Sequence, residues 1–173
     1  MSSLTIIGRG PSWIECPFFS PELWGSMTCL VTEGLRDKPY TKVFGFDNIN
    51  NPGLSEALAI AKERNIPVLS TYEYATEPYP LVPIVKEFRV SYFKNTISYM
   101  LALAIYLKYP NFRIDGVDQG PSWFLQQSKP YVTFWLGVAT GRGIEWSMGR
   151  GSLPWTYRLG QDKLPEAFLV REG

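Results

Sequence analysis

The stretch Leu4-Thr5-Ile6-Ile7-Gly8-Arg9-Gly10-Pro11-Ser12 (LTIIGRGPS) decides the fold class. Its first four residues form a nearly unbroken apolar run. A run without polar alternation reads as a strand buried on both faces, the signature of a parallel sheet covered by helices. Gly8, Gly10 and Pro11 then end the strand and turn the chain. Two readings of the turn stay open. It is a ligand loop, in which backbone amides, the Arg9 guanidinium and the Ser12 hydroxyl meet a phosphate, or it is a plain connection. It is not a dinucleotide fingerprint, since the third glycine is missing and Pro11 removes a donor, and no Gly-Lys-Ser/Thr follows to make a Walker loop.

Working outward, further strands are expected at Trp24–Val31, Lys42–Phe46, Ile66–Leu69, Phe112–Val117 and Ile144–Met148. Helical spacing marks Leu54–Arg64, Thr96–Tyr109 and Val132–Thr140. Asn95 suits the N-cap of the second of these, and its apolar residues lie nearly all round, which predicts a buried helix. Residues 72–83, rich in proline and tyrosine, read as a loop over a site or as an ordered surface crossover. Alternating strands and helices predict an α/β, Rossmann-like domain with a mostly parallel sheet and helices on both faces. One domain is expected over residues 1–173, with 149–173 as a wrapping tail.

In such sheets ligands bind beyond the carboxyl ends of the strands. The candidate site residues are therefore Gly8, Arg9, Gly10 and Ser12 after the first strand, Asp47 with Asn48 after the third, Ser70 to Tyr72 after the fourth, and Asp118 with Gln119 beyond the Phe112–Val117 strand. Lys94, Asn95 and Thr96 join them at a helix start, where the dipole, a hydroxyl and an ammonium favour an anion. Ordinary capping explains the same three residues. Asp115 and Asp118 point to opposite faces, which leaves Asp118 as the ligand or catalytic candidate and Asp115 as a structural one. Arg142 and Arg150, each between glycines, suit a phosphate or serve as solvated turn residues.

Composition removes several mechanisms. The 173 residues carry 17 basic and 16 acidic side chains and no histidine. Near-neutral charge argues against broad capture of nucleic acid. Without histidine, Ser-His-Asp and Cys-His catalysis and every histidine-ligated metal are excluded. Acid–base work falls to an aspartate, a glutamate, a tyrosine, a lysine or water, with Asp47 and Asp118 as the candidates to act as base or to hold a divalent cation. Cys16 and Cys29 lack zinc-site spacing and read as reduced thiols. Nothing resembles a signal peptide, and the longest apolar run is too short to span a bilayer, so a soluble, cytoplasmic protein without membrane partners is expected. The four letters GPSW recur at Gly120–Trp123, which reads as a second strand-end loop rather than a duplication.

Taken in order, several segments resemble a known theme. Ile6-Ile7-Gly8-Arg9-Gly10-Pro11-Ser12 is similar to the first strand and GNGPS loop of bacterial sialyltransferases that use CMP-sialic acid. A related loop occurs in pterin diphosphokinase-like proteins. Thr96–Tyr109 with Ile114–Asp118 resembles the same families' buried helix and following strand, and Gly143–Trp146 leading to Ser152-Leu153 resembles their last strand and turn. Small uncharacterised proteins of tailed phages share the order of all these motifs. The resemblance implies a Rossmann-like fold in which Gly8, Gly10 and Ser12 meet the nucleotide, Thr96 lies at its phosphate, and Asp118 lies near the nucleotide or the acceptor. The chain departs from the sialyltransferases in three places. Arg9 replaces an asparagine, the histidine base is missing, and only about a dozen residues follow Asp118 before the next expected helix, where those enzymes insert a lid. The function implied is binding of a nucleotide or nucleotide-sugar, with glycosyl or phosphoryl transfer as the chemistry of its relatives. The alternative is a phage or host-interaction module that kept the fold without the chemistry.

Overall fold

Strand β1 (Leu4–Ile7) is buried along its whole length and lies inside the sheet, with a neighbour on each side. Leu4 and Ile6 point into one apolar cluster, and Ile7 points into another on the opposite face. That division repeats on each neighbour, with Leu23 against Trp24 on β2 (Glu22–Ser26), Val43 against Phe44 on β3 (Lys42–Phe44), and Val68 against Leu69 on β4 (Val68–Ser70). The period of two distributes side chains to both faces, and each fully buried aliphatic or aromatic residue contributes roughly 1.5–3 kcal/mol. β5 (Glu77–Pro78), β6 (Asn111–Asp115) and β7 (Glu145–Met148) complete a seven-stranded sheet in the order β5-β4-β3-β2-β1-β6-β7. Every pairing is parallel. The computed structural model describes residues 2–118 and 123–149, with the side chains of 123–126 outside that description.

One face is covered by α2 (Leu81–Phe88), α3 (Thr96–Tyr106) and α4 (Trp123–Gly141), and the other by α1 (Leu54–Glu63) and a 3-10 helix, Met27–Val31. The fold is thus α/β, with helices on both faces of a parallel sheet. Eight of the eleven α3 residues are buried, as its near-continuous apolar sequence requires. Asn95 caps α3 by accepting the Ser98 amide at 3.0 Å. None of the described helices is long and apolar enough to cross a membrane.

Several boundaries differ from the expectations. β2 ends at Ser26, not Val31, because the Ser26 hydroxyl meets Thr28 at 2.8 Å and Cys29 at 3.3 Å, local bonds that favour the 3-10 turn. β6 stops at Asp115, where Gly116 adopts a φ of 65° that breaks the strand. α3 ends at Tyr106, and Lys108 with a φ of 60° turns the chain away. Residues 72–83 are not one loop; they hold β5 and the start of α2. α4 begins nine residues before the expected start at Val132 and runs through Pro130. Burial of Val132, Trp135, Leu136 and Ala139 on its inner side outweighs the local cost of the proline, which is exposed. Residues 150–173, Arg150 among them, Gln119, and Gly120–Ser122 of the second GPSW lie outside the described residues, as does the Trp123 side chain.

Candidate functional site

The chain builds β1 to β5 outward in one direction, then returns to place β6 on the other side of β1. Strand order therefore reverses between β1 and β6. Loops leaving two adjacent strands at such a point diverge to opposite faces and open a crevice, which is where ligands bind in doubly wound sheets. Gly8, Arg9, Gly10 and Ser12 leave β1 there, and Val117 and Asp118 leave β6.

The two loops are laced together. The Gly8 amide donates to the Asp115 carbonyl at 2.9 Å and the Gly10 amide to the Gly116 carbonyl at 2.7 Å. The Ser12 amide donates to Asp118 Oδ2 at 2.8 Å. This explains both glycines. A Cβ on Gly8 would overlap the Gly116 carbonyl oxygen, and one on Gly10 would come within 2.8 Å of the Asp118 backbone nitrogen. It also corrects the loop reading. Three amides expected to face a phosphate are already engaged, Pro11 has none, and only a short 3-10 turn, Pro11–Glu15, follows in place of a crossover helix. The loop offers a ligand the exposed Arg9 side chain and a backbone edge held in place.

α3 runs antiparallel to the strands and packs on β1 and β2, so its first turn rises at the same edge of the sheet. Lys94 is exposed there, and Asn95 and Thr96 are half-buried. Four parallel rings fix this helix start. Phe46 stacks on Tyr99 at 3.8 Å, Tyr99 on Phe93 at 4.4 Å, and Phe93 on Trp135 at 5.3 Å. Phe46 follows β3 and Trp135 belongs to α4, so the column ties three elements around the α3 N-terminus. Sequence reasoning missed it, because ring stacking between distant segments has no local spacing. The aromatic abundance was the available signal.

The structure does not bring the two candidate aspartates together. Asp47 is exposed beyond β3 and Asp118 is half-buried beyond β6, with β2 and β1 between them. Three strand spacings separate the two strands by about 14 Å. A divalent cation shared by both does not fit, and among the described residues no three His, Cys, Asp or Glu side chains gather where they could hold a metal. Tyrosine is also a poor replacement for a histidine base. Burial, followed by the neighbouring Tyr72, raises the Tyr99 phenol, and burial followed by Tyr99 raises Tyr79. Both phenols stay protonated at neutral pH, and the Tyr79 hydroxyl donates to the Tyr99 carbonyl at 2.9 Å.

Asp115 is fully buried, and Arg113 Nε and Nη2 grip its two oxygens at 2.7 and 3.0 Å. This pair anchors the end of β6, in keeping with a structural role. Arg142 is likewise engaged, 3.1 Å from Glu87 and over the Phe88 ring at 4.4 Å, away from the crevice.

Cys16 and Cys29 are free and buried. Burial first, and the Asp115 carboxylate after it, push the Cys16 thiol from 9.0 up to about 12, against a backbone hydrogen bond at Phe18 that lowers it. The unfolded thiol loses its proton near 9.0 while the folded one keeps it to about 12, so the native state binds more protons in that window. Stability is expected to fall as pH rises through it, read as a declining urea midpoint. A Cys16→Ser chain should decline less steeply. At about pH 8 a thiol reagent should label neither cysteine in the native protein and both in guanidinium.

No family model and no curated protein matches the chain. Among solved structures, the fold is similar to that of the sialyltransferase CstII from Campylobacter jejuni, determined in complex with a substrate analogue, cytidine-5'-monophosphate. The TM-score is 0.55 at 14% identity, covering 88% of this chain and 82% of that one. At that identity the likeness establishes a shared fold.

Proposed function

We propose that the protein binds a nucleotide or nucleotide-sugar at the carboxyl edge of its sheet, in the crevice between β1 and β6. The observation that carries this reading is the laced pair of loops at the reversal of strand order. Its support is the likeness in fold, over most of both chains, to a sialyltransferase determined with cytidine-5'-monophosphate. In this reading the Asp118 carboxylate holds the Gly8–Ser12 loop in shape and accepts from ribose or base donors. The phosphate takes its charge complement from Arg9 and Lys94 and its hydrogen bonds from the α3 start at Thr96. The spent amides of Gly8, Gly10 and Ser12 make a rigid wall and leave recognition to side chains.

If glycosyl transfer follows, an acceptor hydroxyl oxygen attacks the anomeric carbon and the nucleotide leaves with the bonding electron pair. The hydroxyl proton passes to a carboxylate, with Asp47, exposed and beyond β3, as the candidate. The three engaged amides also favour a second reading, a binding module without turnover, because a ligand site that keeps few free donors is a weak electrostatic catalyst.

The test is a thermal melt with cytidine, uridine, adenosine and guanosine phosphates and with CDP-sugars. At about a hundred times Kd, a bound ligand adds about 2.7 kcal/mol and raises the melting temperature by about 5–10 °C. CMP and CDP-sugars are expected to act first, and Arg9→Ala and Asp118→Ala are expected to abolish the rise. Flat curves across the panel reject nucleotide binding. A rise without any release of nucleotide from CDP-sugars, with or without added saccharide, selects the module reading.

A further inference from the structure

Beyond β4 and β5 the structure has a hollow of about 560 Å³ that the nucleotide reading does not use. Ser70, Tyr72, Glu73, Tyr79, Pro80 and Val82 form much of its wall. The hollow is open to solvent, so it offers a ligand one face rather than an enclosing pocket. Tyr72 is 43% exposed, on a stretch where Thr71 and Glu73 are exposed as well. The ring is also held. It lies parallel to Tyr74, 5.6 Å between centroids and 8° between planes. Tyr74 is tethered in turn by its hydroxyl, which donates to the Asp47 carbonyl at 2.9 Å. The Tyr72 amide donates to the buried Ser70 hydroxyl at 3.0 Å. A ring fixed before a ligand arrives loses little entropy on binding.

The charge of the hollow narrows the ligand class. Among the described residues lining it, Glu73 is the one ionised side chain, and no lysine or arginine is present. A carboxylate beside a ring repels phosphates and accepts from hydroxyls. A nucleotide is therefore disfavoured. A quaternary ammonium is favoured by several rings forming a cage, whereas here Tyr72 alone of the lining rings is substantially exposed and Tyr79 is 5% exposed. An apolar face carrying hydroxyls at its rim matches what is left: a fixed ring, the exposed Val82 side chain and one carboxylate.

We propose that this hollow binds the pyranose ring of a neutral saccharide, its C–H face on Tyr72 and its hydroxyls toward Glu73. Its role as the acceptor subsite rests on the nucleotide-sugar reading above; the binding itself does not. The arrangement along the sheet edge is consistent with that role. From the β1 loop to Tyr72 is three strand spacings, about 14 Å, and Asp47 of β3 stands between them.

The test is amide NMR titration of the full chain with cellobiose, maltose and lactose at millimolar concentration, in parallel with the nucleotide melts. Saturable shifts confined to residues 70–83 are expected. Tyr72→Ala should weaken binding by about tenfold or more, the worth of one good ring contact, and Glu73→Gln should weaken it while leaving the spectrum folded. Nucleotide-induced stabilisation should be unchanged in Tyr72→Ala. The absence of shifts with all three sugars overturns the proposal, as does equal affinity in both variants, or tetramethylammonium occupying the hollow in their place. Saccharide binding with flat nucleotide melts upholds this site and rejects the donor reading, and the reverse outcome rejects this site alone.

Discussion

Replacing Gly8 by alanine is expected to cost about 3 kcal/mol or more, because the added methyl meets backbone that cannot step aside. Its Cβ would overlap the Gly116 carbonyl oxygen, the acceptor for the Gly10 amide at 2.7 Å. Relief requires parting β1 from β6 at their ends, which breaks the bond from Gly8 to Asp115 as well. A flexible side chain in that place would rotate away; a peptide group bonded into two strands does not. The measurement is a urea denaturation midpoint. Gly137→Ala is the control, since nothing lies within 4 Å of a Cβ at that position in α4. Alanine there should stabilise by about 0.5–1 kcal/mol through its helix propensity. If Gly8→Ala unfolds at the same urea concentration as the parent, the lacing of the two loops is not a close contact.

Trp135→Ala is expected to cost about 3–5 kcal/mol, the range for removing a fully buried large aromatic side chain. Trp135 is completely buried, and its indole nitrogen donates to the Tyr92 carbonyl at 2.9 Å. It stacks on Phe93 and meets Phe88 and Phe134 edge-on. The loss should also spread along the ring column to Tyr99 and Phe46. Hydrogen exchange should therefore accelerate at Thr96–Tyr99, a change that a purely local cavity would not produce. Trp135→Phe keeps most of the volume and loses the indole donor, so its cost should fall to about 1–2 kcal/mol. A penalty for Trp135→Ala of about 1 kcal/mol or less would show that the column does not bear on stability.

The strand-and-helix order was legible because burial on both faces writes itself into sequence as continuous apolar runs, as in Leu4–Ile7 and Val68-Leu69. Asn95 was legible for the same kind of reason, since a cap is a local bond between neighbours. Elements decided by distant contacts were not legible. α4 runs through Pro130 because Trp135 and Leu136 bury against α3, which no window around the proline contains. The site follows the same rule. The sequence places Gly8–Ser12 and Asp118 at strand ends, and the fold sets them together. Whether an amide is available or spent depends on a partner 106 residues away, as for Ser12 and Asp118. Tyr72 was legible as a strand-end residue, but a tyrosine in a proline-rich stretch carries no mark of being stacked and held.

The interior position of β1, between β2 and β6, also governs the order in which the sheet can form. β1 is made before the other strands of the sheet, and β2 follows within twenty residues to pair with it. Its other edge waits for β6, with Leu4 opposite Phe112, and the tie from Ser3 to Asn111 closes 108 residues of chain. Until then the nascent chain carries one unpaired edge on a strand that holds three hydrophobic-core residues, Leu4, Ile6 and Ile7. Long closures of this kind slow folding and leave sticky edges open in the interval. One edge of this strand therefore stays open until more than a hundred residues of further chain have been made. A chain cut short before β6 is a substrate for chaperones rather than a smaller working protein.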